Sequence, residues 1–174
     1  MTFIATLVLP VQHAVFLGVA LSMLHFLYAS SVDVRIVSMT PLDNGSFAEH
    51  PAPVHLQAGQ TVVLAAYGSL YFAAAATLEK KLPDAAPGAC VILRLRGVQR
   101  AGSTLITVVE HYAHKLRQRG ATLMLAEVSP SLYAQLVKTG TIEMCGFDRV
   151  FVEEADVFAA TRHALQAAHS FPRI

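Results

Sequence analysis

One segment near the middle of the chain constrains the fold more than any other. Residues 90–98 begin with four apolar residues and continue with apolar residues that alternate with arginines, a pattern typical of a strand that leaves a buried centre. Residues 101–120 carry apolar residues at helical spacing, and residues 121–128 form a second apolar run. Two strands joined by a helix of about four turns are expected to be parallel, with a right-handed crossover. The segment therefore predicts an α/β fold.

The two ends of this central helix carry their own signals. Ser103 is predicted to be the N-cap, because its hydroxyl can accept a backbone N–H of the first turn. Lys115, Arg117 and Arg119 collect near the last turn, where they suit the negative end of the helix dipole, and Gly120 follows. The unit predicts that five side chains are buried together, namely Leu95, Ile106, Val109, Leu123 and Leu125.

The beginning of the chain predicts a membrane segment. All 13 Lys and Arg and all 12 Asp and Glu lie at or after Asp33. Residues 3–28 as one helix would measure about 39 Å, against a hydrocarbon core of about 30 Å. A signal peptide would be shorter and would begin with basic residues. If Pro10 breaks the helix, residues 11–28 still measure about 27 Å. We therefore expect a transmembrane segment at residues 1–30 and a second domain at residues 31–174.

The rest of the second domain predicts further strands and helices around the central unit. Strands are predicted at 30–39, 54–58, 61–70 and 149–152, and helices at 73–82, 131–138 and 153–169. Residues 41–53, with the turn signal Asn44-Gly45, are predicted to be a hairpin tip or a loop, and residues 83–88 a loop. Ser129 and Pro130 form a cap and a first-turn proline for the helix that Gly140 ends. The whole predicts a mixed sheet of about four to six strands with helices packed on it.

Residues 97–140 (GVQRAGSTLITVVEHYAHKLRQRGATLMLAEVSPSLYAQLVKTG) resemble the STAS domain, which anti-sigma-factor antagonists share with the cytoplasmic tails of SulP-type anion transporters. In that family a strand ends in a loop reading roughly Asp-Ser-Ser/Thr-Gly, which opens the next helix. The matching positions here are Gly102, Ser103, Thr104 and Leu105, so both hydroxyls are kept and the flanking Asp and Gly are replaced. The resemblance implies that Ser103 occupies the position that accepts phosphate in antagonists that switch by phosphorylation.

The beginning of the chain resembles the end of a SulP membrane domain. Residues 2–9 are similar to the tail of the penultimate helix, and residues 11–28 to the last helix. The order of a final membrane helix and a STAS domain implies the C-terminal fragment of a SulP-type sulfate or anion transporter, with the STAS domain in the cytoplasm. Such a fragment is expected to regulate or bind rather than to transport, because the substrate site lies among helices outside it. The alternatives are a phosphoswitch like the anti-sigma-factor antagonists and an anion- or nucleotide-binding module.

The candidate site is the start of the central helix, at Arg100, Gly102, Ser103 and Thr104. Free backbone N–H groups and the positive dipole end favour an anion there, whereas Ser103 as a simple N-cap is the alternative. Between residues 94 and 119 the sequence contains six basic residues and one acidic residue, Glu110. Such a cluster suits anionic lipid or an acidic partner, or is a solvated face.

Other residue patterns do not indicate catalysis. His111 and His114 have a spacing that can share a metal, but the sequence indicates no third ligand, so no metal or cofactor is expected. Cys90 and Cys145 are predicted to be buried thiols. No ordering of nucleophile, base and acid suggests an enzyme. A net charge of +1 gives no support for nucleic acid. The expected partners are membrane lipid, the rest of a transporter or another protein at the helix that starts at Ser103, and a second copy in a homodimer.

Overall fold

The computed structural model describes residues 11–32, 34–43, 45–68 and 73–170. The helices are α1 (Val11–Val32), α2 (Ala73–Lys81), α3 (Ser103–Gln118), α4 (Pro130–Thr139), α5 (Thr141–Cys145) and α6 (Ala159–Ser170), with a 3₁₀ turn at Phe147–Arg149. The strands are β1 (Arg35–Pro41), β2 (Phe47–Pro51), β3 (His55–Leu56), β4 (Thr61–Tyr67), β5 (Asp84–Ala85), β6 (Cys90–Arg94), β7 (Thr122–Val128) and β8 (Val150–Val152). The predicted helical segment at residues 2–9 and the last two residues of the strand predicted at residues 61–70 lie outside the described residues.

Six of these strands form one mixed sheet in the order β2-β1-β4-β6-β7-β8. The strands β4, β6, β7 and β8 are parallel, whereas β1 runs antiparallel to both of its neighbours, β2 and β4. The short strands β3 and β5 form a separate parallel pair. The predicted parallel pair on either side of α3 is β6 and β7, and the predicted mixed α/β sheet with packed helices is confirmed.

The central strands are buried on both faces, which is why they read as continuous apolar runs. Val91, Leu93 and Leu125 belong to the larger core, which α3 covers. Ile92 and Met124, at alternating positions, belong to the opposite core, which includes residues of α6. The five side chains predicted to be buried together all lie in the larger core, so that prediction is confirmed: Leu95, Ile106, Val109, Leu123 and Leu125.

The first helix, α1, is apolar and almost entirely exposed. Its segment Val11–Tyr28 is the one helix in the described part of the chain that is long and apolar enough to cross a membrane. Phe16 and Phe26, for example, expose 75% and 70% of their surface. The helix continues to Val32, so the strand predicted at residues 30–39 begins only at Arg35. The far end of α1 is followed directly by the sheet, and α1 contacts α2.

Residues 41–53 were expected to form a hairpin tip or a loop, and the strand that they contain was not predicted. They contain a tight turn, in which Leu42 N–H donates to the Ser46 carbonyl at 2.8 Å, and then β2. This strand lies at the edge of the sheet and is mostly exposed, so its sequence lacks an apolar alternation. An edge position also tolerates Pro51, whose missing N–H would weaken a central strand.

Several boundaries also differ from the prediction. The strand predicted at residues 90–98 ends at Arg94, because the chain turns at Gly97, which has a φ of +84°. The helix predicted at residues 153–169 begins only at Ala159, after Phe158 adopts a φ of +79°. The expected loop at residues 83–88 contains β5, and α5 was not predicted.

Candidate functional site

The loop between β6 and α3 places the predicted site residues at the surface. Gly102 is the N-cap of α3, with extended backbone angles of φ −67° and ψ 158°, and its carbonyl accepts the N–H groups of Leu105 and Ile106. Ser103 is therefore the first residue of the helix and its side chain makes no capping bond. The prediction that Ser103 is the N-cap is wrong, because Gly102 occupies the extended position that a cap requires.

The four predicted site residues form a continuous surface, which we call the α3 start. Arg100, Gly102 and Ser103 are exposed, and Thr104 is half-buried. A Cβ atom added to Gly102 would meet no atom within 4 Å. The hydroxyl of Ser103 is thus accessible, and the position before it has space for a larger side chain.

The chain leading into the α3 start is fastened to α4. The Gln135 side chain accepts from the Ala101 N–H at 3.0 Å and donates to the Ala101 carbonyl at 2.7 Å. The hydroxyl of Ser129 donates to the Val98 carbonyl at 3.0 Å, and that of Ser131 to the Gln99 carbonyl at 2.9 Å. These bonds hold the beginnings of α3 and α4 side by side.

Ser129 is the serine that caps a helix in this region. It has an extended backbone, and its Oγ accepts the N–H of Leu132 at 3.2 Å. Pro130 follows in the first turn, and Gly140 ends the helix in the left-handed conformation with a φ of +78°. The cap, the proline and the terminating glycine predicted for α4 are confirmed.

A buried ionic cluster, which the sequence interpretation missed, lies beneath the loop. The Glu127 carboxylate is fully buried and accepts from Arg94 at 2.9 Å and from Arg96 at 3.1 Å. The hydroxyl of Thr161 on α6 donates to its other oxygen at 2.8 Å. The Arg94 guanidinium also lies 4.6 Å from the ring centre of Phe158. The cluster joins β6, β7 and α6, and the sequence signal for it was a single acid within an otherwise apolar strand.

The surroundings of Glu127 favour its charged form. Burial would raise the pKa of this carboxyl, but the hydrogen bonds from Arg94, Thr161 and Arg96 outweigh burial and hold the pKa below its usual value. The backbone of Glu127 has a φ of +56° at an irregularity in the pairing of β7 with β8. Such a backbone turns the side chain of a strand residue away from its regular alternation.

The structure does not gather the six basic residues between positions 94 and 119 on one surface. Arg94 is buried, and Arg94 and Arg96 share the single negative charge of Glu127. Lys115 and Arg119 lie 2.7 Å and 3.1 Å from the Asp84 carboxylate. Arg117 donates to the Met144 carbonyl. The interpretation of these residues as one basic cluster is therefore wrong, and Arg100 remains at the α3 start.

The histidines and cysteines lie apart from one another. His111 pairs with Glu79 at 2.8 Å, and His114 contacts Gln118 at 2.9 Å. Within the described residues no group of three His, Cys, Asp or Glu side chains could hold a metal ion. Cys90 and Cys145 are buried thiols, as predicted, and burial raises the pKa of each to about 11.

Two features define the class of this domain. One is a mixed sheet with helices on both faces, and the other is a loop and helix start beside α4. The STAS domain profile matches residues 52–164, which is more than half of the chain. The chain belongs to the STAS domain family. No curated protein matches the chain.

Comparison with solved structures finds matches to an anion transporter and to sulfate transporter family proteins. The murine Solute Carrier 26 family member A9 anion transporter, in its inward-facing state, has a TM-score of 0.71 at 16% identity. That match covers 98% of this chain and 28% of the transporter chain, so the present chain spans less than a third of that relative's length. The SulP transporter STAS domain from Vibrio cholerae has a TM-score of 0.41 at 21% identity, covering 71% of this chain and 91% of its own. A sulfate transporter family protein from Wolinella succinogenes has a TM-score of 0.48 at 23% identity, covering 63% and 84%.

Proposed function

We propose that this chain comprises the final membrane helix and the cytoplasmic STAS domain of a SulP-type anion transporter. The observation that carries the proposal is the single structural alignment with the murine anion transporter, which spans 98% of the chain and so includes α1 together with the domain. An exposed apolar helix of 18 residues, Val11–Tyr28, followed directly by a STAS fold agrees with that order.

The proposed role is regulation or binding, without transport or catalysis by this chain alone. Substrate sites of secondary transporters lie near the bilayer midplane between several helices. The described residues include one candidate membrane span, which cannot enclose such a site. A domain that follows the last membrane helix directly can instead contact other parts of a transporter or a separate protein.

We place the contact surface at the α3 start, formed by Arg100, Gly102, Ser103 and Thr104. Three features support this choice. The surface is exposed or half-buried, the loop that carries it is held by Gln135, and the Ser103 hydroxyl is not used for capping. A fixed and exposed surface suits protein contact because little conformational entropy is lost when a partner binds.

The location of the chain tests this proposal. In native cells, an antibody against the domain should detect the chain in the membrane fraction, and an alkaline carbonate wash should not remove it. Protease added to intact cells should leave the domain uncut, and protease added after permeabilisation should digest it. Recovery of the chain in the soluble fraction without detergent would contradict the membrane assignment, and digestion in intact cells would contradict the cytoplasmic assignment.

A phosphoswitch remains the second candidate function, because the Ser103 hydroxyl is exposed at the position that the family phosphorylates in antagonists. Mass spectrometry of the protein from its native cell tests this directly through phosphate on Ser103. The variant Gly102→Asp restores the family's acid, and the open space beside Gly102 accommodates it. Phosphate that appears on Ser103 in Gly102→Asp alone, and never in the native chain, would show that the native chain has lost the switch.

A further inference from the structure

A cavity of about 550 Å³ lies near the β2 edge of the sheet. It is formed by the start of β1, the end of β2, the following residues 52–54 and the last turn of α2. We call it the β1–α2 cavity. It lies outside the α3 start and the Glu127 cluster, since it shares no residue with either.

The charged residues that line the β1–α2 cavity are mainly basic. Arg35, Lys80 and Lys81 line it, together with His50. The acidic residue in the lining is Glu49, whose carboxylate already accepts the hydroxyl of Tyr67 at 2.7 Å. The cavity therefore carries an excess of positive charge, which suits an anionic ligand.

Two of these basic side chains differ from the paired basic residues around Asp84 and Glu127. Lys115 and Arg119 pair with Asp84, and Arg94 and Arg96 pair with Glu127. Within the described residues, by contrast, neither Arg35 nor Lys80 forms an ion pair with a carboxylate, and both are exposed. Their charges are available to a ligand in the cavity.

The position of Lys81 ties the cavity to the end of α1. Its Nζ donates to the Val34 carbonyl at 2.5 Å, two residues after α1 ends. Arg35 follows Val32 by three residues, a distance of at most about 11 Å along an extended chain. The basic groups of the cavity are thus fixed near the end of the helix.

This position corresponds to the headgroup layer of a membrane that α1 crosses. The apolar span ends at Tyr28, and the helix continues for four residues to Val32, which is about 6 Å. The headgroup region on each side of the hydrocarbon core is about 5–8 Å thick. Long Arg and Lys side chains can reach back toward that layer. All Lys and Arg of the chain lie on this side of α1, which is the side that faces anionic lipid in the cytoplasmic leaflet.

We propose that the β1–α2 cavity binds the phosphate-bearing headgroup of an anionic phospholipid in the leaflet that faces the domain. The inference rests on the proposed function, because it needs α1 in a membrane. Arg35 and Lys80 bind the phosphate, and Lys81 holds the cavity against the end of α1. Val54 lines the cavity and exposes 74% of its surface. It offers an apolar contact for the part of the lipid where the headgroup joins the acyl chains.

The test is native mass spectrometry of the full chain in mild detergent, with phosphatidylglycerol or phosphatidylcholine added. We expect the wild-type chain to retain one phosphatidylglycerol more tightly than phosphatidylcholine. The double variant Arg35→Gln/Lys80→Gln should bind phosphatidylglycerol about 25-fold more weakly, since each basic group near a lipid surface contributes a factor of about five. Binding of phosphatidylcholine should be unchanged.

Two further variants separate the cavity from general effects of charge and folding. Arg119→Gln/Lys138→Gln removes one arginine and one lysine charge from exposed positions outside the cavity and should keep wild-type binding. Arg35→Lys/Lys80→Arg keeps both charges in the cavity and should bind phosphatidylglycerol as tightly as the wild-type chain. Circular dichroism melting of each variant checks that the domain is folded.

Three outcomes would overturn the inference. The first is equal weakening in the cavity variant and in the control outside the cavity. The second is equal retention of the two phospholipids by the wild-type chain. The third is inorganic phosphate at millimolar concentration displacing the lipid completely, which would indicate a site for a soluble anion. Membrane fractionation of the wild-type chain is scored separately, so a soluble chain refutes the proposed function, whereas lost lipid selectivity in a membrane-bound chain refutes this inference alone.

Discussion

Ser103 is the first residue of α3 and Ser129 precedes α4, but only Ser129 caps its helix. Ser129 is fully buried, caps α4 and also bonds the loop at Val98. Ser103 is exposed and makes no capping bond. The same serine-to-alanine change should therefore have different effects at the two positions.

We expect Ser129→Ala to lower the free energy of unfolding by about 1–2 kcal/mol, because a buried cap is lost and a carbonyl loses its donor. Ser103→Ala should change it by less than about 0.5 kcal/mol, as for other exposed positions. Chemical denaturation of the chain in mild detergent, followed by circular dichroism, measures both. A loss above about 1 kcal/mol in Ser103→Ala would mean that Ser103 does cap α3.

The Glu127 carboxylate should make the stability of the domain sensitive to acid. Its folded pKa is held below that of an unfolded glutamate, about 4.3, so its contribution is fully present above that pH and is lost as the pH falls through the folded pKa. Glu127→Gln should cost about 3–5 kcal/mol near neutral pH, because Arg94 is left as a buried charge without a counter-charge.

Denaturation at several pH values tests this expectation. The wild-type chain should lose stability below about pH 4 more steeply than Glu127→Gln, which has no carboxyl to titrate there. Glu143→Gln, a change at an exposed glutamate, serves as the control and should cost less than about 0.5 kcal/mol. A parallel pH dependence in the wild-type and Glu127→Gln chains would show that the cluster does not control acid stability.

At the scale of elements, the central β6–α3–β7 unit should account for much of the stability. Ile106→Ala or Leu123→Ala should each lower the free energy of unfolding by about 2–5 kcal/mol, because each removes buried methyl groups from the larger core. Thr107→Ala, at an exposed position of the same helix, should cost less than about 0.5 kcal/mol. Losses below about 0.5 kcal/mol in both core variants would contradict this arrangement.

The elements that could be predicted from the sequence are those whose burial gives a clear pattern. The helix α3 buries one face, so its apolar residues recur at helical spacing. The strand β7 is buried on both faces, so it reads as a continuous apolar run. The edge strand β2 has no such pattern, because its pairing with β1 depends on backbone bonds and a turn. Strand β5 has two residues and pairs only with β3, so nothing in its sequence indicates a strand.

The candidate site was predictable in its location but not in its details. The strand-to-helix turn at Gly102 and Ser103 follows from the pattern, but which of them adopts the cap conformation depends on one backbone angle. The partners of Arg94 and Arg96 are Glu127 in β7 and Phe158 just before α6, at 31 to 64 residues' separation, so local sequence could not reveal them. Pairing across such separations is decided by the fold.

For the whole molecule, α1 and the domain should be separable. A truncated chain that begins at Ser31 should be folded and soluble without detergent, because β1 and both cores lie after α1. Size-exclusion chromatography and circular dichroism of the truncated chain measure this, with the full chain as the comparison that requires detergent. Aggregation of the truncated chain would mean that α1 is needed to complete the domain.

The strand that follows α1 is not at the edge of the sheet. Only two residues separate α1 from β1, and β1 is bonded along its length to β2 on one side and to β4 on the other. Bonds between antiparallel strands run perpendicular to the strand axis, so traction along β1 loads both ladders in shear, and no single bond can open first. Axial traction on the helix is therefore shared between the two ladders of β1.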